Sequence, residues 1–217
     1  FEAFLSDATT THCHRIDIFF MIGLPRQTYD SVLETVDYCG RLFEVGDRRV
    51  NCFISPMGPF VDPGSRIFEH PERFGYRLFA RTLEEHRQLL VQPSWERILN
   101  YETQWMSRAQ LVDATYDAAQ RLNLLKLRHG RLSRHQARAV SDRITEARRL
   151  RALLQQEGEV DDDSANADLR GEINRFSVST VCDKSELTWP TRAVNFHPLG
   201  MLRAALARAR GPATKQS

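Results

Sequence analysis

Four cysteines and seven histidines are the side chains with which this 217-residue chain could hold a metal ion or form a covalent intermediate. Cys13, Cys39, Cys52 and Cys182 fit no zinc or iron–sulfur spacing and read as isolated thiols in a reducing compartment. His12, Cys13 and His14 stand side by side, but neighbours on an extended chain point to opposite faces and do not converge on one ion. The stronger chemical signal is a place rather than a reactive group. Residues 16–28 run through Ile-Asp-Ile-Phe-Phe-Met-Ile into Gly23, Leu24, Pro25, Arg26, Gln27 and Thr28. A nearly continuous apolar run predicts a strand buried on both faces, and a parallel strand is the usual case. Gly23 lets another backbone or a ligand come close, Pro25 ends the strand, and Thr28 is placed to cap a helix. In α/β folds ligands sit at this carboxyl end.

The elements that would position this strand end follow from periodicity. Residues 1–9 carry apolar side chains at helical spacing. Residues 29–44 predict a helix with Val32, Val36, Cys39 and Phe43 on one face, stopped at Gly46. Residues 49–55 predict a second buried strand, so strand, helix and strand form a right-handed βαβ unit with parallel strands. The Pro/Gly-rich stretch 56–65 leaves from the same sheet end as Gly23–Pro25, and the two loops form a plausible ligand wall or a stiff connection. Residues 77–91 predict a helix with Leu78, Leu83, Leu89 and Leu90 on its apolar side. Ser94 caps a short helix, and residues 107–129 and 133–156 predict an antiparallel helix pair. The second of these carries Arg134, Arg138, Arg143, Arg148, Arg149 and Arg151 on its other face. Residues 157–170 read as an acidic linker, residues 178–181 as a short strand, and residues 198–208 as a weak helix before a loose tail.

Met21-Ile-Gly-Leu-Pro-Arg-Gln-Thr28 resembles the IxGLPGQT segment near the end of the radical S-adenosylmethionine barrel. The resemblance continues through Ile54-Ser-Pro-Met-Gly-Pro-Phe-Val-Asp-Pro-Gly-Ser65, Gly75-Tyr-Arg-Leu-Phe79, Arg81-Thr-Leu-Glu-Glu-His86 and Ile98-Leu-Asn-Tyr-Glu-Thr103. A weaker echo lies at Val181-Cys-Asp-Lys-Ser-Glu-Leu-Thr-Trp-Pro190. Together these look like the C-terminal half of a radical S-adenosylmethionine protein of the subgroup with an N-terminal cobalamin-binding domain. The chain departs from that family at Arg26, where Gly is usual, and it lacks the Cys-x3-Cys-x2-Cys that holds the [4Fe–4S] cluster. The resemblance implies an α/β fold: the last two βα units of a partial barrel over residues 1–92, then a helical extension over 93–156, the linker, and a small segment over 171–217. It implies S-adenosylmethionine as cofactor, with the [4Fe–4S] cluster and cobalamin held elsewhere in a longer protein. Ile22, Gly23, Leu24 and Pro25 would pack near the adenine, the backbone of Gly23 and Leu24 would face its edge, and Phe53, Ser55 and Pro56 would complete the pocket. Gln27 would reach the cofactor or cap the helix. Asn100, Tyr101 and Glu102 match the pattern without a chemical role.

None of these residues is a general acid, base or nucleophile with a visible partner, and because the cluster motif is missing the chain by itself is expected to be inactive. Two parallel strands alone leave bare edges and faces, which a stable sheet avoids, so further strands are expected before Phe1 as the missing N-terminal part of the same protein. Two other readings stand beside this one. The arginine-bearing helix could serve a non-catalytic binding module, or the chain could be an inactive truncated fragment. The net charge of +2 gives no global field for nucleic acid, which makes such a partner unlikely. The longest apolar run falls short of the about 20 residues a membrane span needs. With no signal-peptide pattern in the first residues, the expected location is cytoplasmic. The substrate is not legible.

Overall fold

The computed structural model describes residues 1–11, 13–56, 60–92 and 94–156, together with Cys182 and Glu186. The chain divides into two units, Phe1–Asp183 and Lys184–Ser217. Glu186 is the one described residue of the second, and every described helix and strand belongs to the first. The expected linker over 157–170, the strand over 178–181, the helix over 198–208 and His12 lie outside the described residues.

Helix α1 (Glu2–Thr10) leads to strand β1 (Ile16–Ile22), helix α2 (Tyr29–Val45) and strand β2 (Val50–Pro56). β1 and β2 pair in parallel with Ile16 opposite Val50 and Ile22 opposite Pro56, as the βαβ pattern requires. Thr28 caps α2 by accepting from Ser31 N–H, and the Ser31 side chain returns the bond to the Thr28 backbone. Such a cap contributes about 1 kcal/mol. Val32, Val36, Cys39, Leu42 and Phe43 of α2 are all buried. At the start of β2, Arg49 donates to the carbonyls of Thr9, Thr11 and Cys13, which ties down the end of α1.

Strand β1 is covered on one side rather than two. Ile16, Ile18 and Phe20 pack on the core and Ile22 lies within it. On the alternate face Phe19 is 62% and Met21 51% exposed. Leaving two such side chains half in water forgoes about 2–3 kcal/mol of burial. The run is apolar on both faces, but only one face has helices to meet it.

After β2, Ser65 caps a short helix α3 (Arg66–Glu69), and a 3-10 turn over Pro71–Phe74 ends at Gly75. Strand β3 (Tyr76–Leu78) then pairs antiparallel with β4 (Tyr101–Thr103). This second sheet replaces the first part of the helix expected over 77–91. Helix α4 covers only Leu83–Leu90, starting at a Thr82–Glu85 capping box. It has no buried face: Leu83 is 89% and Leu90 55% exposed. Ser94 accepts from Arg97 N–H to start helix α5 (Trp95–Ile98).

Helices α6 (Arg108–Arg128) and α7 (Arg134–Gln156) form the expected antiparallel pair. Asn123 joins them, donating to the Ala137 carbonyl at 2.7 Å and to Ser141 Oγ at 3.0 Å. Ala137, Val140, Ile144, Leu150 and Leu154 are buried. α6 packs on α2 and β2, and its Leu111, Val112 and Leu122 share one core with both strands. The core is therefore continuous across residue 92.

Candidate functional site

The carboxyl ends of β1 and β2 carry most of the residues singled out from the sequence, and the turn after β1 is built from the inside. Gly23 has φ +93°, a conformation that L side chains rarely adopt. A Cβ there would also lie 2.9 Å from the Tyr101 hydroxyl and 3.1 Å from the Tyr101 ring. The close approach that glycine allows is thus taken by a side chain of β4. Gln27 folds back into the turn. Its Oε1 accepts from Gly23 N–H at 2.7 Å and from Leu24 N–H at 3.2 Å, while its Nε2 donates to the Met21 carbonyl at 3.1 Å. Helix capping falls to Thr28, so Gln27 braces the loop instead. The Gly23 carbonyl accepts from the Tyr76 hydroxyl. The Leu24 carbonyl accepts from Gln27 N–H at 3.1 Å.

The side chains divide by face. Ile22 is fully buried in the core, on the helix side of β1. Leu24, Pro25 and Arg26 are exposed. Phe53 stacks on Phe19 with ring centroids 4.9 Å apart and carries Lys126 Nζ 4.4 Å over its ring, which leaves it 6% exposed. Ser55 is half-buried opposite Met21, and Pro56 ends β2 opposite Ile22. Met21, Phe19, Phe53 and Ser55 therefore line one face, to which the Ile22 side chain does not belong. Arg26 has φ 64°, the one left-handed non-glycine residue among those described. This gives a physical reason for glycine at the equivalent place in the resembled pattern, because glycine takes that backbone without the 1–2 kcal/mol or so that other residues incur.

Asn100, Tyr101 and Glu102, which had no role from sequence, tie this region together. Fully buried Asn100 accepts from Val61 N–H at 2.9 Å through Oδ1 and donates from Nδ2 to His86 Nε2 at 3.0 Å. His86 Nδ1 meets the Thr82 carbonyl at 2.8 Å, so the network assigns the proton to Nδ1. Asn100 thereby joins the loop after β2, helix α4 and strand β4. Tyr101 is fully buried, and its hydroxyl has no hydrogen-bond partner among the described residues. Burial pushes the Tyr101 hydroxyl pKa up, with neighbouring Tyr76 adding to the shift. Burial raises that of Tyr76 to about 12. Glu102 pairs with Arg77 across the small sheet at 3.1 Å. The signal that could have found this node was Asn100 itself, a polar residue beside the apolar Leu99 and Tyr101.

Two buried thiols meet between α2 and β2. The two thiols interact; their bond and burial push the Cys39 thiol up, while at Cys52 the same bond, helped by Lys126 and Arg131, outweighs burial and lowers the thiol. Among the described residues no three His, Cys, Asp or Glu side chains are grouped as metal ligands.

The arginines of α7 are not one free face. Arg151, 13% exposed, bridges Glu96 of α5 and Asp113 of α6. Arg148 pairs with Asp117, which also accepts from the Tyr29 hydroxyl. Burial acts to raise the Asp117 pKa, but the bonds from Tyr29 and Arg148 outweigh it and hold the carboxyl below its usual value. Burial, then the Asp117 bond, raises Tyr29 to about 12. Arg149 pairs with Glu146 on its own helix. No described helix is long and apolar enough to cross a membrane. No family model, curated protein or solved structure matches the chain.

Proposed function

We propose that this chain forms the adenosine-facing wall of a radical S-adenosylmethionine enzyme. It would contribute the last two βα units of the barrel, with the [4Fe–4S] cluster and cobalamin held outside the described residues. The observation that carries the reading is the one-sided cover of β1. In a βα barrel the helices cover the outer face and the inner face meets the remaining strands and the ligand. Phe19 and Met21 lie on that inner side and are exposed, and β1 pairs only with β2 among the described residues. Strands preceding β1 in a longer protein would cover both.

The same geometry limits how adenosine could be held. Gln27 occupies the Gly23 and Leu24 N–H groups, so those donors do not serve the adenine ring nitrogens. Each of the two carbonyls keeps a second lone pair for the adenine amino group. Met21 and Leu24 offer apolar surface for its flat face. The described residues supply no ligand set for the cluster, so no radical step is assigned to them.

The test is anaerobic iron analysis and S-adenosylmethionine cleavage on the chain as given and on the same chain extended through its upstream coding sequence. The extended protein should bind about four irons and release 5′-deoxyadenosine, and Met21→Glu should raise KM for S-adenosylmethionine. An extended protein without iron would overturn the reading.

A further inference from the structure

We propose that the cleft between the Pro25–Arg26 turn and the Pro71–Gly75 turn binds a small aromatic amino acid or a zwitterion of the same build. The cavity measures about 250 Å³ and presents Arg26, Arg73, Glu72, Phe74, Gln104 and Trp105. That volume suits one ring with a short polar tail.

Three features point to this chemistry. First, Arg26 and Arg73 line it from opposite turns, and neither makes a side-chain hydrogen bond or ion pair within the described residues. Two unmatched guanidinium groups in one cleft suit a carboxylate, which they can bind through paired N–H donors. Arg26 is also kept at φ 64°, a strained backbone that glycine would relax, and such strain concentrates at binding sites.

Second, Trp105 is seated as a wall. The Gly75 turn, at φ +73°, approaches its indole so closely that a Cβ would fall 2.6 Å from the ring. Gln104 N–H donates to the Gly75 carbonyl at 2.9 Å and fixes the segment that carries Trp105. With Phe74 beside it, the indole offers a flat apolar surface on which another ring can stack. Third, Glu72 lies in the same cleft without an ion pair to either arginine. A simple anion would be repelled by this carboxylate, whereas a ligand with an ammonium next to its carboxylate satisfies all three charges.

The proposal does not rest on the S-adenosylmethionine reading, because its test uses no cofactor. Fluorescence or calorimetric titration of the whole chain compares L-phenylalanine, 3-phenylpropionate, which lacks the ammonium, and phenethylamine, which lacks the carboxylate. Phenylalanine should bind saturably and more tightly than either analogue. Arg73→Ala and Arg26→Gly should each weaken it at least fivefold. Glu72→Gln should weaken phenylalanine but not 3-phenylpropionate. Circular dichroism checks each variant's fold, and Arg26→Gly relaxes the backbone, so lost binding there is not lost folding. Phenylalanine that fails to bind at about 10 mM, binds no better than 3-phenylpropionate, or binds equally to the arginine variants overturns the proposal.

Discussion

The contact between Gly23 and Tyr101 makes a quantitative test of how the strand end is built. Gly23→Ala places a Cβ at φ +93°, 2.9 Å from the Tyr101 hydroxyl oxygen. Backbone strain of about 1–2 kcal/mol and a comparable overpacking penalty give a loss of about 3 kcal/mol. Tyr101→Phe acts in the opposite direction. The hydroxyl is buried without a partner among the described residues, and removing an unsatisfied polar group should stabilise the fold by about 1 kcal/mol. Combined, the two changes should not add. Taking away the oxygen removes the nearest obstacle and leaves a ring atom at 3.1 Å, so the double variant should be about 1 kcal/mol more stable than the sum predicts. Urea unfolding of the parent, both single variants and the double variant measures all four corners. Additive effects, or a Tyr101→Phe variant less stable than the parent, would show that the hydroxyl is satisfied and that it is not what excludes a side chain at Gly23.

Other parts of the fold carry their own expected outcomes. Asn100→Leu should cost about 2–4 kcal/mol and speed amide exchange at Val61, because it leaves that buried N–H without its acceptor. The Asp117 carboxyl is held low, so its stabilising share is full above the unfolded-state pKa near 4 and is lost as pH falls through the lower folded value. Asp117→Asn should therefore flatten the decline of Tm between about pH 5 and 2. With an iodoacetamide probe, Cys13 should label in the native protein, whereas Cys39 and Cys52, both fully buried, should label only on unfolding.

Much of the frame was legible because it follows from local pattern. The parallel strands, α2 with its Thr28 cap and α6 announce themselves within a few residues. The bounds of α7 could be read as well, 133–156 against the observed Arg134–Gln156. The small antiparallel sheet could not. Three residues carry no period, and Tyr76–Leu78 become a strand only through partners at 101–103; the leucines after them suggested a longer helix than α4. The candidate site was legible as a location but not as wiring. That Gln27 would occupy the Gly23 and Leu24 N–H groups, or that Tyr101 would fill the space above Gly23, depends on distant chain returning to β1. The arginines of α7 looked like one face because a helical projection shows neither Asp113 and Asp117 on α6 nor Glu96 on α5.

The Asn100 amide has a consequence beyond holding three segments together. Its oxygen serves Val61 and its nitrogen serves an imidazole that must arrive without a proton on Nε2. A proton there presents a donor to a donor. Rotating the amide to greet it would turn the NH2 group toward the Val61 N–H, which then loses its acceptor. The amide serves the ring and the loop in this one orientation alone, so the Nδ1–H tautomer of His86 and the path of the segment after β2 are fixed together.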